Sequence, residues 1–156
     1  MINIITGIID SGKTSYLKHH YEQHRIGDGV LSIKNLQQDK FKGYDLLHLK
    51  TGKTVPFIRF KGSTPPDWKQ IYEIGKYSFS AKGFAFAGDV LDNIRETPVY
   101  LDEIGPLEIL HDQGFHAFLK DLIKKDVGLF LGVRYTLLNE MIEKYINNKE
   151  MRVITV

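Results

Sequence analysis

The clearest chemistry in this chain lies near its amino end. Gly7-Ile8-Ile9-Asp10-Ser11-Gly12-Lys13-Thr14 fits the pattern Gly-x4-Gly-Lys-Ser/Thr. A loop of this composition turns successive backbone N–H groups toward one anion. The first turn of a following helix adds partial positive charge. Residues Gly7 to Thr14, with Ser15 just beyond, are therefore candidate nucleotide-phosphate ligands. Lys13 would meet the β- and γ-phosphates as a point charge. Asp10 sets a carboxylate beside the cradle. Aspartate tolerates left-handed backbone, so its N–H can face in while its side chain points out.

A second group could complete that chemistry. Val99-Tyr100-Leu101 reads as an apolar strand beside the first one, and it ends in Asp102-Glu103. Asp102 at that strand end, with the Thr14 hydroxyl, offers the hard oxygen ligands that Mg2+ takes. Glu103 is placed to polarise a water for attack on a γ-phosphate. Arg134 ends the apolar run 127–133 on the same edge. It would either neutralise the γ-phosphate or pair with an acid such as Glu108. Arg59 is a further cation of this type, in the segment 43–79. His20 and His24 stand four apart, a spacing that can bind metal, but no acidic or histidine partner accompanies them. They read as a solvated helix face. Trp68 reads as packing on the sheet rather than stacking on a base.

Composition narrows the classes. The chain has 156 residues, which is the length of one domain. Its net charge of +2 is too small for a nucleic-acid footprint. It holds no cysteine, which excludes disulfides and thiolate metal sites and suits a reducing compartment. No charged leader with an apolar stretch precedes the first strand. No apolar run approaches the roughly 20 residues that span a bilayer. A cytoplasmic protein without membrane partners is the expectation.

The elements that must position these groups follow from periodicity. Residues 2–5 form a β-branched run before the glycine loop, and a helix is expected over 13–24. Strands are expected at 30–33, 44–49 and 55–60, the last two joined through 51–53. Pro56 suits an edge strand. Residues 71–79 read as one strand interrupted by Gly75, and 84–94 as a helix. Helices over 114–125 and 137–145 flank the strand 127–133, and a last strand covers 152–156. Strands alternating with helices predict an α/β domain with a mostly parallel sheet and crossovers. The segment 43–79 predicts an antiparallel insertion. No repeat, low-complexity tract or linker divides residues 1–156.

The strings Thr6-Gly7, Gly12-Lys13-Thr14 and Leu101-Asp102-Glu103-Ile104-Gly105-Pro106-Leu107-Glu108, taken together, resemble the small nucleoside-triphosphatases of the thermophile and cancer-related types. Gly43-Tyr44-Asp45-Leu46, Pro56-Phe57-Ile58-Arg59 and Ile74-Gly75-Lys76-Tyr77 extend the resemblance along nearly the whole chain. It implies a P-loop fold and Mg2+-dependent hydrolysis of nucleoside triphosphates, broad over bases. It places Lys13 and Thr14 on phosphate and metal, and Asp102 and Glu103 on metal and water. The chain departs from that family at Ile8, Ile9 and Asp10, where proline and glycine are usual, and at Ser32-Ile33-Lys34-Asn35. It also stops at Val156, before the usual Asn-Arg element. Two alternatives use the same loop: a kinase passing the phosphoryl group to a small molecule or polynucleotide end, and a non-enzymatic nucleotide switch.

Overall fold

A computed structural model describes residues 1–156. β1 (Ile2–Gly7) leads through the glycine loop into α1 (Lys13–His24). β2 (Asp28–Gln37), β3 (Lys40–His48) and β4 (Thr54–Phe60) follow as a meander. β5 (Gln70–Ile74) and β6 (Tyr77–Ser80) precede α2 (Ala81–Asp92). β7 (Val99–Ile104), α3 (Pro106–His111), α4 (His116–Lys124) and β8 (Leu129–Arg134) come next. A composite helix begins with a 3₁₀ turn at Tyr135–Leu137, continues as α5 (Leu138–Met141) and ends as a π turn at Ile142–Ile146. β9 (Met151–Thr155) closes the chain.

All nine strands join one sheet in the order β5-β6-β4-β3-β2-β7-β8-β1-β9. The expected mostly parallel sheet is corrected to a mixed one. The pairs β2–β7, β7–β8, β1–β8 and β1–β9 are parallel, whereas β2–β3, β3–β4, β4–β6 and β5–β6 are antiparallel, so the sheet is evenly mixed. The antiparallel strands expected over 43–79 are present, and they continue the sheet as a wing. Hairpins need only short connections, and the wing extends the sheet edge at β2.

Other expectations change with it. Residues 71–79 form a hairpin, because Gly75 and Lys76 turn the chain between β5 and β6. Pro56 is not on an edge strand, since β4 lies between β3 and β6. It sits where the β3–β4 register shifts, and β6 pairs only with Ile58–Phe60. A bulge is the other place where a strand accepts a residue without an N–H. The short helix α3 was not expected. It begins at a Pro106 that suits a first helical position. β7 does not lie beside β1, because β8 runs between them.

The helices divide between the two faces. α1 covers one face through Leu17 and Tyr21, which pack with Ile5, Leu31, Leu49 and Tyr100. The larger core on the other face joins Ala87, Val90 and Leu91 of α2 to Leu119, Leu122 and Ile123 of α4 and to strands β1, β2, β4, β7 and β8. Ser80 caps α2 by accepting the Gly83 N–H at 3.3 Å. The two cores hold the carboxyl ends of β1, β2, β7 and β8 at one rim, above which the loop lies.

Candidate active site

β1 ends at Gly7, and the chain turns over Ile8–Gly12 before α1 begins. A side chain at Gly7 would overlap the Ser11 hydroxyl and the Val156 carbonyl, so the loop closes only over glycine. Asp10 has φ 60° and Gly12 has φ 103°, both left-handed. The Asp10 carboxylate points outward and pairs with Lys34 at 2.8 Å. Ile8 and Ile9 also expose their side chains, which leaves the cradle to the backbone. Lys13 folds over the loop, and its ammonium donates to the carbonyls of Gly7 at 3.2 Å and Ile8 at 2.8 Å.

The acids reach this loop from across β8. The β7–β8 register shifts between Leu101 and Ile104, so Asp102 and Glu103 together oppose Gly132. Such a bulge re-aims side chains that strict alternation would send to opposite faces. Glu103 absorbs it with φ 63°. The Thr14 hydroxyl donates to Asp102 Oδ2 at 2.5 Å. The backbone N–H groups of Glu103 and Ser32 also donate to the Asp102 carboxylate, at 2.9 and 3.3 Å. Gly132 is the residue that sequence reasoning missed. Any side chain there would overlap the Asp102 carboxylate, so the intervening strand must be bare at this point. The β7 bulge, unlike Gly132, leaves a trace in the residue order: Leu101 and Ile104 are both core residues at an odd spacing, which a regular strand does not allow.

Electrostatics mark the same pair. Burial pushes the Asp102 carboxyl above its ordinary range, against the Thr14 hydrogen bond, the two backbone donors and Lys13. Burial also raises Glu103, to about 7, with the Asp102 charge adding to the rise and Arg134 and Lys13 opposing it. Buried carboxylates beside one another resist simultaneous ionisation. Oxygen donors of this kind fit a hard divalent cation, whose charge would relieve that cost.

Arg134 stands beside Gly7 at the end of β8 and lines the same cleft. None of the ion pairs involves it. The alternative pairing with Glu108 is not seen. Glu108 is buried, and its carboxylate accepts the N–H groups of Gly105 and Phe115, both at 3.0 Å. It caps α3 and ties it to the start of α4. Arg59 is not brought to the loop. It is 5% exposed, pairs with Asp45 at 2.7 Å and donates to the Tyr44 and Ile58 carbonyls, which makes it a wing residue. His20 bonds the Tyr100 hydroxyl and stacks on His24, and no group of three metal-binding side chains is present. Trp68 donates to the Ser78 hydroxyl at 2.8 Å and so packs on the wing as expected.

The cleft that holds these groups has a volume of about 490 Å³, within the range of small-molecule sites. The family model described as NTPase matches residues 3–156. The chain belongs to the NTPase family. Among solved structures, this NTPase is similar to a human cancer-related nucleoside triphosphatase, with 23% identity over 98% of this chain and 87% of that one and a TM-score of 0.68. That likeness shows a shared fold. No curated protein matches the sequence significantly. No helix of the NTPase is long and apolar enough to cross a membrane.

Proposed function

We propose that this NTPase cleaves the γ-phosphate of nucleoside triphosphates at the rim between the glycine loop and the Asp102-Glu103 bulge. The fold is read as that of a P-loop enzyme. The observation that carries this reading is the 2.5 Å bond between Thr14 and Asp102, which joins the loop to the acid pair. Backbone N–H groups from Gly7 to Ser15 and the start of α1 hold the phosphate oxygens. Lys13 exchanges its loop carbonyls for β- and γ-phosphate oxygens. Arg134, without a carboxylate partner, neutralises charge on the γ-phosphoryl group. Glu103 orients a water and takes its proton. The water oxygen bonds to the γ-phosphorus, the bridging P–O bond breaks, and the electron pair leaves on the nucleoside diphosphate.

Thr14 and Asp102 are the residues that would hold Mg2+. When bound, Mg2+ supplies charge neutralisation at the β- and γ-phosphate oxygens. Lys144 and Tyr145, which bond the Glu108 carbonyl at 3.3 and 2.8 Å, belong to the scaffold behind α3 and take no part.

The test is phosphate release from ATP, GTP, CTP and UTP with Mg2+. Lys13→Ala should lower kcat/KM by about 10³-fold, on the order of 4 kcal/mol of barrier. Glu103→Gln should lower kcat by a similar factor while ATP still binds. A Glu103→Gln protein that hydrolyses ATP at the wild-type rate removes Glu103 from the mechanism.

A further inference from the structure

The cleft does not end at Glu103. It continues on the sheet face opposite α1 into a chamber walled by Tyr44, Phe57, Tyr77, Phe79, Phe84 and Phe115. These rings belong to or pack against the larger core, which contains no residue of α1. The walls are preformed: Phe84 lies 5.0 Å from Phe57 and 5.1 Å from Phe115 between ring centroids. Ser15 and Lys18 line the other end of the cleft, on α1.

We propose that this chamber seats a neutral, flat-ring alcohol that receives the γ-phosphoryl group in place of water. The inference rests on the NTPase reading above and adds a second substrate to it. Displacement at phosphorus is in line, so the nucleophile enters opposite the departing diphosphate. With the γ-phosphate between Lys13 and Glu103, the rest of the nucleotide follows α1 past Ser15 and Lys18. The nucleophile then arrives from the chamber. Aromatic walls offer water no partner, whereas a ring compound can stack on them.

The hydroxyl of Ser32 points to the same occupant. Ser32 is 2% exposed, lines the cleft, and its Oγ has no hydrogen-bond partner. It sits on the strand face of Val30, which is the face of the larger core. An orphaned buried hydroxyl is costly unless a ligand completes it. The charge of the occupant follows from the walls. They carry the Tyr44 phenol, and the cations around them are each engaged: Lys34 with Asp10, Arg59 with Asp45, Lys76 over the Phe60 and Tyr77 rings, and Arg134 with the γ-phosphoryl group in the reading above. A phosphorylated or carboxylated acceptor would have to draw one of these cations from its present partner.

The step balances. The acceptor oxygen bonds to the γ-phosphorus, the β–γ bridging bond breaks with its electron pair on the diphosphate, and the hydroxyl proton passes to the Glu103 carboxylate. The products are a phosphate monoester and a nucleoside diphosphate.

The experiment uses the full chain, Mg2+ and ATP labelled at the γ-phosphorus, with adenosine, guanosine, cytidine, uridine, thymidine and benzyl alcohol as probes. Label should pass to at least one probe in preference to water. Tyr77→Leu and, separately, Phe79→Leu should cut transfer at least tenfold and leave phosphate release within twofold of wild type. Full phosphate release with no label on any probe overturns the proposal and leaves the NTPase reading standing. Nucleosides that compete with ATP without being labelled also overturn it, because the chamber then takes the nucleobase. Loss of both phosphate release and transfer in the wild-type chain sinks the NTPase reading and this inference together.

Discussion

At the scale of single residues, the site depends on what is absent at position 132. Asp102 must cross β8 to meet Thr14, and it does so over the bare backbone of Gly132. Gly132→Ala forces the carboxylate aside or parts the strands. We expect at least a tenfold loss of kcat and a stability loss of about 1–3 kcal/mol from overpacking. Unchanged activity with an intact Thr14–Asp102 contact in the variant's structure would contradict this. Glu108 makes a second prediction. Burial raises its pKa from 4.5 to about 7, against the hydrogen bonds from Phe115 and Gly105. The folded state therefore holds this proton more tightly than the unfolded chain. Its stabilising share is complete below pH 4.5 and is lost as pH rises to 7, at most about 3 kcal/mol. Urea unfolding across that window should show a smaller loss in Glu108→Gln than in the wild type.

At the scale of elements, the antiparallel wing has a job distinct from the loop. Arg59 and Asp45 lock β4 to β3 beside the bulge at Pro56. Arg59→Ala leaves a largely buried carboxylate without its partner, and about 3 kcal/mol of stability should go with it. The KM for ATP should stay within twofold, since Arg59 does not face the glycine loop. A large rise in KM at unchanged stability would return Arg59 to the phosphate ligands. The β7 bulge is the other decisive element. Without its extra residue, Asp102 and Glu103 would point to opposite faces, and one of them would leave the site.

At the scale of the whole molecule, the rim couples both cores. α1 belongs to one core, α2 and α4 to the other, and the cleft draws on both. A ligand that grips the loop and the bulge together should therefore stabilise the fold as a unit. ATP with Mg2+ at about 100 times its Kd should add about 2.7 kcal/mol. Chelation of the metal should remove part of that gain, and Lys13→Ala should remove most of it. Thermal melts with and without nucleotide check this, and an unmoved midpoint at saturating ATP would contradict it.

The amino-acid sequence by itself determined the glycine loop, the helix it opens and an acid pair next to an apolar strand segment. These are runs of consecutive residues, and turn chemistry, helical period and donor type act over short distances. The helix expected over 13–24 matches α1, and the outward turn of Asp10 follows from its own backbone tolerance. Only the tertiary structure decided which strands are neighbours. Sheet order comes from burial between distant segments, so nothing local places β8 between β1 and β7, makes Gly132 the gap for Asp102, commits Arg59 to Asp45, or closes rings from β3, β4, β6, α2 and the start of α4 into one chamber.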